Sequence, residues 1–243
     1  MTLSGRFVAA AGSVTGRDHR RADRDGQDGF ALVQTAEVVA AVVTDGCSSG
    51  RSSEIGARIG AAWIAALVQQ RFRGDGTEAR ARAAAAEVGR ELLVRLHVLA
   101  RSLDPKGDLQ AAAIEDALLF GFLAVVVTSA TTIVFGIGDG VVVVDGNVSV
   151  IDPGPDNAPP YVAYGLLGPH IEPSVYFVGP TRSVGVVAVA TDGLAVEPSL
   201  TELAADPRYA RNPSLLRKRL VVLSDRGSFL DDATVGVVRR RPA

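Results

Sequence analysis

The stretch VVTDGCSSG, residues 42–50, is the part of the sequence from which both the fold and the site can be approached. A run rich in β-branched residues, typical of a strand, ends here in Asp45, which is followed by Gly46. The only cysteine of the chain, Cys47, comes next. Because Asp-Gly is a common turn dipeptide, this stretch alone predicts the end of a strand and does not separate a turn from a functional site.

The composition describes a chain that can bury a sizeable core. Its 243 residues are 47% hydrophobic and 21% charged, and we expect one domain spanning residues 1–243. A formal net charge of -2 gives no electrostatic footprint for nucleic acid or an anionic membrane. The longest apolar run, residues 117–127, is shorter than the ~20 residues of a membrane span. A single cysteine excludes an internal disulfide framework and favours a reducing, cytoplasmic compartment.

The predicted elements follow one another in an order that indicates the fold class. They are a first strand within 1–14, a charged loop at 17–29, a hairpin at 31–45, helices at 52–72 and 77–102, a short helix ending near 119, several short strands, a loop at 152–160, two further strands, helices at 199–205 and 213–223, and a closing strand. On the first long helix, Ile55, Ile59 and Trp63 share one face, and Ser52 or Ser53 is expected to cap it. This order lacks βαβα alternation and predicts an α+β fold of stacked antiparallel sheets with helices packed outside.

Acidic residues recur at the ends of the predicted strands. Asp45 and Asp192 each end an apolar run and precede a glycine. Asp231 comes just before the closing strand, and Asp139 lies in a turn between two strands. Strand ends in a layered sheet converge on one rim, where carboxylates repel one another unless a cation lies between them. Oxygen ligands without accompanying histidines select Mg²⁺ or Mn²⁺ rather than Zn²⁺, and two such ions about 3.5–4 Å apart would activate a water and clamp a phosphoryl oxygen.

Taken together, these segments resemble the metal-dependent protein phosphatases of type 2C, in particular their compact bacterial members. The resemblance covers nearly the whole chain and is carried, in the order of that family, by GRDHRRADRDGQDGFAL, VVTDGCSSGRSSEIGARIGA, ATTIVFGIGDGVVVV, VAVATDGL and DDATVGVVRR. It implies a four-layer αββα sandwich, two antiparallel β-sheets flanked by helices, with a two-metal centre in a cleft at one edge of the sheets.

The resemblance also implies roles for single residues. Asp45 would bridge two Mn²⁺ or Mg²⁺ ions, and Gly46 would ligate one of them through its carbonyl. Asp192 and Asp231 would complete the shell of the other ion. Asp139 matches an aspartate associated with a third, weaker ion.

Further matches concern the substrate phosphate and the family's early acidic pair, whose positions are occupied here by Gln27 and Asp28. Asp28 matches the residue that holds metal-bound water in the family. It is therefore the second catalytic candidate, beside Asp45. The family arginine that grips the substrate phosphate precedes this pair. Arg20, Arg21 and Arg24 are all candidates for it, and spacing does not choose among them; we expect Arg20 or Arg24 to bind phosphate.

The sequence departs from the family pattern at three positions. Gln27 stands where many members have glutamate, and Cys47 stands where the better-studied members have a histidine thought to protonate the leaving group. Val196 stands where a further ligand of the third ion is often found, although Glu197 is adjacent, and this argues against a third ion.

The cysteine itself has two interpretations. Cysteine phosphatases need a C-x5-R loop around the phosphate, whereas Arg51 follows Cys47 at C-x3-R, so the spacing argues against a nucleophile. We expect a small residue that fits a tight turn, with a proton-donor role as the alternative.

These expectations define a first hypothesis and its rivals. The first is a phosphoserine/phosphothreonine protein phosphatase, monomeric, using water activated by a two-metal centre. Its implied partner is a phosphorylated protein, a serine/threonine kinase or the target of one, with neither nucleic acid nor a membrane involved. The alternative is a pseudophosphatase that binds phosphoproteins without hydrolysing them, which the three departures motivate. A small-molecule phosphatase on the same centre is the third hypothesis.

Overall fold

Two five-stranded antiparallel sheets form the centre of the molecule. The computed structural model describes residues 2–74, 76–104, 110–155, 158–194 and 199–242. In order across the first sheet, the strands are β1 (Phe7–Val14), β10 (Ala233–Arg240), β9 (Val186–Ala190), β6 (Gly140–Val144) and β7 (Asn147–Ile151). Those of the second sheet are β2 (Gly29–Gln34), β3 (Val39–Gly46), β4 (Phe120–Val127), β5 (Thr131–Ile137) and β8 (Ser174–Pro180).

Helices lie on the outer faces of both sheets. In the described part of the chain the helices are α1 (Leu3–Arg6), α2 (Arg17–Arg21), α3 (Ser53–Arg71), α4 (Glu78–Leu103), α5 (Gln110–Ala117), α6 (Ser199–Ala205) and α7 (Leu215–Asp225), and the short α1 contributes Leu3 to the core between the sheets. Short 3-10 turns occur at Val162–Leu166, Thr181–Ser183, Asp192–Leu194 and Pro207–Ala210. The helices α3 and α4 pack on the second sheet, and α6 and α7 pack on the first. The predicted αββα sandwich is thereby confirmed.

Alternation along β3 shows why its sequence is apolar throughout. Val39, Ala41 and Val43 point into the core between the two sheets. Ala40 and Val42 point the other way, into the core beneath α3 and α4. A strand covered on both faces has no polar side, and this explains the continuous Val/Ile/Ala runs. Within the described residues, no helix is long and apolar enough to cross a membrane.

The buried face of α3 differs from the predicted one. Ile55 is 41% exposed, whereas Gly56 is buried against Ala117 and Leu118, and Gly60 is buried against the sheet. A Cβ on Gly60 would come within 2.3 Å of the Phe120 ring. The first half of the helix therefore packs through small residues, and Ile64, Leu67 and Val68 complete the buried face in the second half. Of the predicted face, Ile55 is exposed, whereas Trp63 packs against the core.

The predicted charged loop at 17–29 contains a short helix, α2. It follows directly from β1, which is the edge strand of the first sheet. The predicted loop at 152–160 has residues 156–157 outside the described range, and Val196 and Glu197 lie outside it as well.

Candidate metal centre

The strand ends bring the predicted carboxylates into one cleft. Asp45 ends β3, Asp192 follows β9, and Asp231 comes just before β10. Asp139 lies in the turn from β5 to β6, and all four line the cleft together with Asp28. The backbone of Gly46 lines it too. The five predicted metal-binding residues and Asp28 thus line the same cleft, although they come from five separate segments of the chain.

Burial, and after it the charges of neighbouring acids, raises the pKa values of four carboxyl groups in the cleft. Burial, with the charges of Asp28, Asp192 and Asp139, raises the pKa of Asp45 well above its usual range. Burial is also the main cause for Asp28, followed by the charge of Asp232.

The two less buried carboxyls follow the same rule. Burial, with the charge of Asp192, raises the pKa of Asp139 to about 6. Burial also raises the pKa of Asp231. Among the described lining residues, His19 is the one basic side chain, so the protein itself supplies little positive charge to this acidic cleft.

Glycines allow the chain to turn tightly around these acids. A Cβ on Gly46 would lie 2.6 Å from the Gln27 carbonyl, and one on Gly193 would lie 1.9 Å from the Asp232 carbonyl. On either side of Asp139, both glycines have positive φ, 114° and 128°, which L side chains rarely adopt. The Asp-Gly pairs therefore serve close backbone packing as well as presenting an acid.

Asp28 is held by the ends of β9 and β10. It is 6% exposed, and Thr191 donates its hydroxyl to Asp28 Oδ2 at 2.9 Å. The backbone N–H of Thr234 donates to Thr191 Oγ1 at 3.0 Å. These bonds fix one Asp28 oxygen and tie its orientation to the first sheet.

The side chain of Gln27, the residue before Asp28, is bonded to the loop that follows β3. It is 2% exposed, and Nε2 donates to the Cys47 carbonyl, the Gly50 carbonyl and Ser53 Oγ at 3.2, 3.1 and 2.6 Å. Ser53 Oγ donates in turn to the Cys47 carbonyl at 2.8 Å. Ser52 is the residue before α3 and makes no side-chain cap bond, so the expected capping of α3 by a serine side chain is not found. Gln27 Oε1 is buried without a donor among the described residues, and Gln27 lines the cleft. This carbonyl is an acceptor available to a bound water.

Asp232 ties the segment from Gly16 to Gln27 to the start of β10. Its Oδ1 accepts from the Gly16 N–H at 2.7 Å, and its Oδ2 accepts from the Gln27 N–H at 2.5 Å. His19 Nδ1 lies 3.0 Å from Asp232 Oδ2 and 3.9 Å from Asp231 Oδ1. These three side chains have potential ligand atoms within 4.8 Å of one another. Since backbone donors already occupy both Asp232 oxygens, Asp231 has the freer carboxylate of the pair.

Cys47 belongs to the core beneath the helices. The residue is 8% exposed, packs in the α3–α4 core, and is not among the residues that line the cleft. Its Sγ lies 3.1 Å from Ser49 Oγ. Burial raises the pKa of the thiol, but hydrogen bonds from Ser49, Tyr161 and the Ser49 and Gly50 backbone outweigh it, so the pKa lies below its usual value. This placement favours the tight-turn interpretation.

The arginine candidates point in different directions. Arg24 donates to the Gly50 carbonyl at 2.8 Å, beside the loop that Gln27 also bonds. Arg20 donates to Ser224 Oγ at 2.8 Å, on the side of α7. Arg21 is exposed. No arginine is among the residues that line the cleft in the described part of the chain.

Sequence reasoning assigned no role to three residues of the cleft. Ser48 and Tyr161 line it, and Asp232 organises it. Tyr161 follows a proline-rich loop and carried no recognisable signal. Asp232 adjoins Asp231, and only the structure separates their roles.

The fold and the acidic cleft define a class of protein before any comparison. Two antiparallel sheets between helix layers, with acids from several strand ends meeting in one cleft, describe an αββα protein with a candidate cation centre. The sequence profile of the family described as protein phosphatase 2C matches residues 15–230, so the chain belongs to that family. No significant match to a curated protein sequence was found.

Solved structures with this fold include bacterial phosphatases of low sequence identity. The chain is similar to the serine/threonine phosphatase Stp1 from Staphylococcus aureus, at 14% identity and a TM-score of 0.62, covering 98% of this chain and 97% of that one. It is similar to PppA from Pseudomonas aeruginosa, at 15% identity and a TM-score of 0.61, covering 97% and 98%. It is also similar to the catalytic domain of the phosphatase PstP in complex with 2 manganese ions, at 16% identity and a TM-score of 0.58, covering 98% and 99%.

Proposed function

We propose that this chain is a Mn²⁺- or Mg²⁺-dependent serine/threonine protein phosphatase, acting as one catalytic domain in the cytoplasm and as a monomer. The observation that carries the proposal is the group of cleft carboxylates whose pKa values are raised by burial and by one another. Family membership and the manganese-containing PstP structure support the same chemistry.

The residues of the cleft fit divalent cations. Their donors are carboxylate oxygens and the Gly46 carbonyl, a set that suits Mg²⁺ or Mn²⁺. Gln27 Oε1 is a buried acceptor that lacks a donor among the described residues. We assign Asp45, Asp192 and Asp231, with Gly46, to two ions. When bound, such ions lower the pKa of water and stabilise negative charge on phosphoryl oxygens.

The chain contributes orientation and charge around the reacting phosphate. Asp28, fixed by Thr191, would accept the proton of an attacking water, and Gln27, fixed by three hydrogen bonds, would accept a hydrogen bond from that water through Oε1. Asp139 lines the same cleft and would be the candidate ligand of a third, weaker ion.

We assign substrate phosphate binding to Arg24 rather than Arg20. Support comes from its bond to the Gly50 carbonyl, which places its head group beside the loop held by Gln27. Arg20 instead donates to Ser224 of α7. A guanidinium can hold phosphate in a bidentate manner, so the effect of Arg24→Ala on KM would test this assignment.

The pseudophosphatase remains the second candidate because of one observation. No arginine or lysine is among the described residues that line the cleft, and Arg24 is bonded to the Gly50 carbonyl, so it would have to release that carbonyl to hold phosphate in the cleft. Such a protein would bind a phosphopeptide without releasing phosphate.

One experiment separates the candidates. After chelation, Mn²⁺ is added back, and release of phosphate from p-nitrophenyl phosphate and from a phosphothreonine peptide is measured. The enzyme predicts turnover that returns with Mn²⁺ on both substrates. Phosphopeptide binding without hydrolysis would identify the pseudophosphatase, and a panel of small phosphorylated metabolites would detect the small-molecule phosphatase.

A further inference from the structure

A second depression adjoins the metal cleft and differs from it in charge. It lies where the end of β1 and the start of β2 meet α3 and α7, and Asp28 is a wall common to both cavities. A neighbouring hollow along α7 continues it, sharing two hydroxyl groups and one guanidinium with it. We name this feature the basic groove and define it by Ser13, Thr15, Arg20, Arg58 and Arg217.

The three arginines of the basic groove have no carboxylate partner in the described part of the chain. Arg20 donates to Ser224 Oγ at 2.8 Å, and Arg58 donates to the Gly26 carbonyl at 2.9 Å. For the exposed Arg217 side chain, no hydrogen bond or ion pair is found among the described residues. Neutral acceptors leave the full positive charge of each guanidinium available to a ligand.

Negative charge along the basic groove is limited to two described residues. Asp28 forms the inner wall and is committed to the acidic cleft, and Asp225 lies at the outer end beside α7. Three arginines against these two carboxylates leave a local excess of positive charge on a chain whose net charge is -2. Such a surface is complementary to an acidic segment of a partner.

We propose that the basic groove binds acidic residues that flank the phosphorylated residue of a protein substrate, and so selects substrates with acidic sequence. This inference rests on the proposed function. The common wall at Asp28 places the groove beside the centre where the phosphorylated residue would react. Guanidinium and hydroxyl groups are the donors that carboxylates accept from, whereas basic flanking residues would be repelled by the three arginines.

Kinetics on matched peptides test the proposal. Two phosphothreonine peptides differ only in flanking residues, one with glutamates and one with glutamines, and p-nitrophenyl phosphate reports the centre itself. We expect Arg217→Glu to lower kcat/KM on the acidic peptide about five- to tenfold through KM, with turnover of p-nitrophenyl phosphate unchanged. Lys218→Glu, on the same helix and also exposed but outside the groove, makes the same change of charge and should alter neither peptide by more than about twofold.

Two results would overturn the inference. One is an equal loss on both peptides, and the other is no preference of the wild-type protein for the acidic peptide. Arg217→Gln gives a second reading with a smaller charge change, in case the reversal disturbs folding.

A binding measurement keeps this test independent of the proposed function. A fluorescent, unphosphorylated glutamate-rich peptide is titrated in chelator, and its anisotropy is followed for wild type, Arg217→Glu and Lys218→Glu. Binding that weakens with salt and is lost only in Arg217→Glu supports the groove, even if p-nitrophenyl phosphate is never hydrolysed. Equal binding by all three proteins contradicts it.

Discussion

Two groups of buried carboxylates on this chain are treated in opposite ways. Asp206, 7% exposed, accepts from Arg208 and from Arg219 at 2.7 Å each, and from the Arg208 backbone N–H at 2.9 Å. Hydrogen bonds from Arg208 are the first cause that holds its pKa below the usual range. In the cleft, by contrast, the pKa values of Asp28 and Asp45 are raised.

The two sites differ in whether the protein supplies positive charge to the buried carboxylates. The chain carries 25 Lys and Arg residues and uses two of them around Asp206, but none of those in the described part lines the cleft. A buried carboxylate that serves only stability is paired by the protein itself. Carboxylates left together without such partners need a cation from solution, and this is the physical basis for proposing a metal centre.

The largest expected effect is on turnover in Asp45→Asn. Loss of this carboxylate should reduce Mn²⁺-dependent hydrolysis by about a thousandfold or more, because it removes a ligand expected to serve both ions. The metal-free protein should be no less stable, since one of several repelling charges is gone. Activity on p-nitrophenyl phosphate and thermal melting in chelator measure the two effects, with Glu37→Gln, an exposed hairpin residue, as the control. Full activity in Asp45→Asn would remove the basis of the comparison.

Asp206→Asn should show the reverse pattern. Two guanidinium groups would lose their partner, so we expect a destabilisation of about 1–3 kcal/mol, lower than for a fully buried pair because the arginines are partly exposed. Turnover per folded molecule should be unchanged. Urea unfolding measures the loss, and an increase in stability would show that the cluster around Asp206 is not a stabilising pair.

The pH dependence of stability should differ between the two sites. In the folded protein the pKa values of Asp28, Asp45 and Asp139 are raised, to about 6 for Asp139. The stability that these groups contribute is therefore fully present below their unfolded-state pKa values. It is lost as pH rises through their folded-state pKa values. The lowered pKa of Asp206 gives a contribution that is present above its unfolded value and is lost as pH falls through its folded value. The metal-free protein should therefore lose about 1–2 kcal/mol between pH 5 and pH 8.

Chemical unfolding across this pH range, with and without Mn²⁺, measures the difference. Saturating Mn²⁺ should remove the loss, and Asp45→Asn should reduce it. A metal-free protein that becomes more stable from pH 5 to pH 8 would contradict the assignment of charge repulsion to the cleft.

The smallest expected effect concerns Cys47. Because the thiol packs in the core and does not line the cleft, Cys47→Ser should change turnover by less than about threefold, well short of the ~10²–10⁴ typical of a general acid. Initial rates across pH would check this. A loss of a hundredfold, with a changed basic limb of the pH profile, would restore the proton-donor interpretation.

The sequence predicted the architecture because its signals were local and repeated. The 31–45 hairpin and the long helices appear near their predicted bounds, since turn residues and periodicity mark them. The meeting of Asp45, Asp192 and Asp231 in one cleft followed from strand ends sharing a rim, together with the family resemblance.

Other features depended on packing that no single sequence shows. Gly56 and Gly60 belong to the buried face of α3 because the lack of a side chain allows close contact, whereas hydrophobic periodicity detects only larger apolar residues. Asp231 and Asp232 are adjacent and chemically alike, and only their hydrogen-bond donors separate them. The choice between Arg20 and Arg24 likewise required knowing which loop each one contacts.

The most direct measurement is a crystal structure of the protein soaked in Mn²⁺, with the ions located by anomalous scattering. We predict two ions in the cleft, bridged by Asp45 and completed by the Gly46 carbonyl, Asp192 and Asp231. A cleft that stays free of Mn²⁺ at millimolar concentration would contradict the claim that these carboxylates form a cation centre. So would ions bound solely by His19 and Asp232.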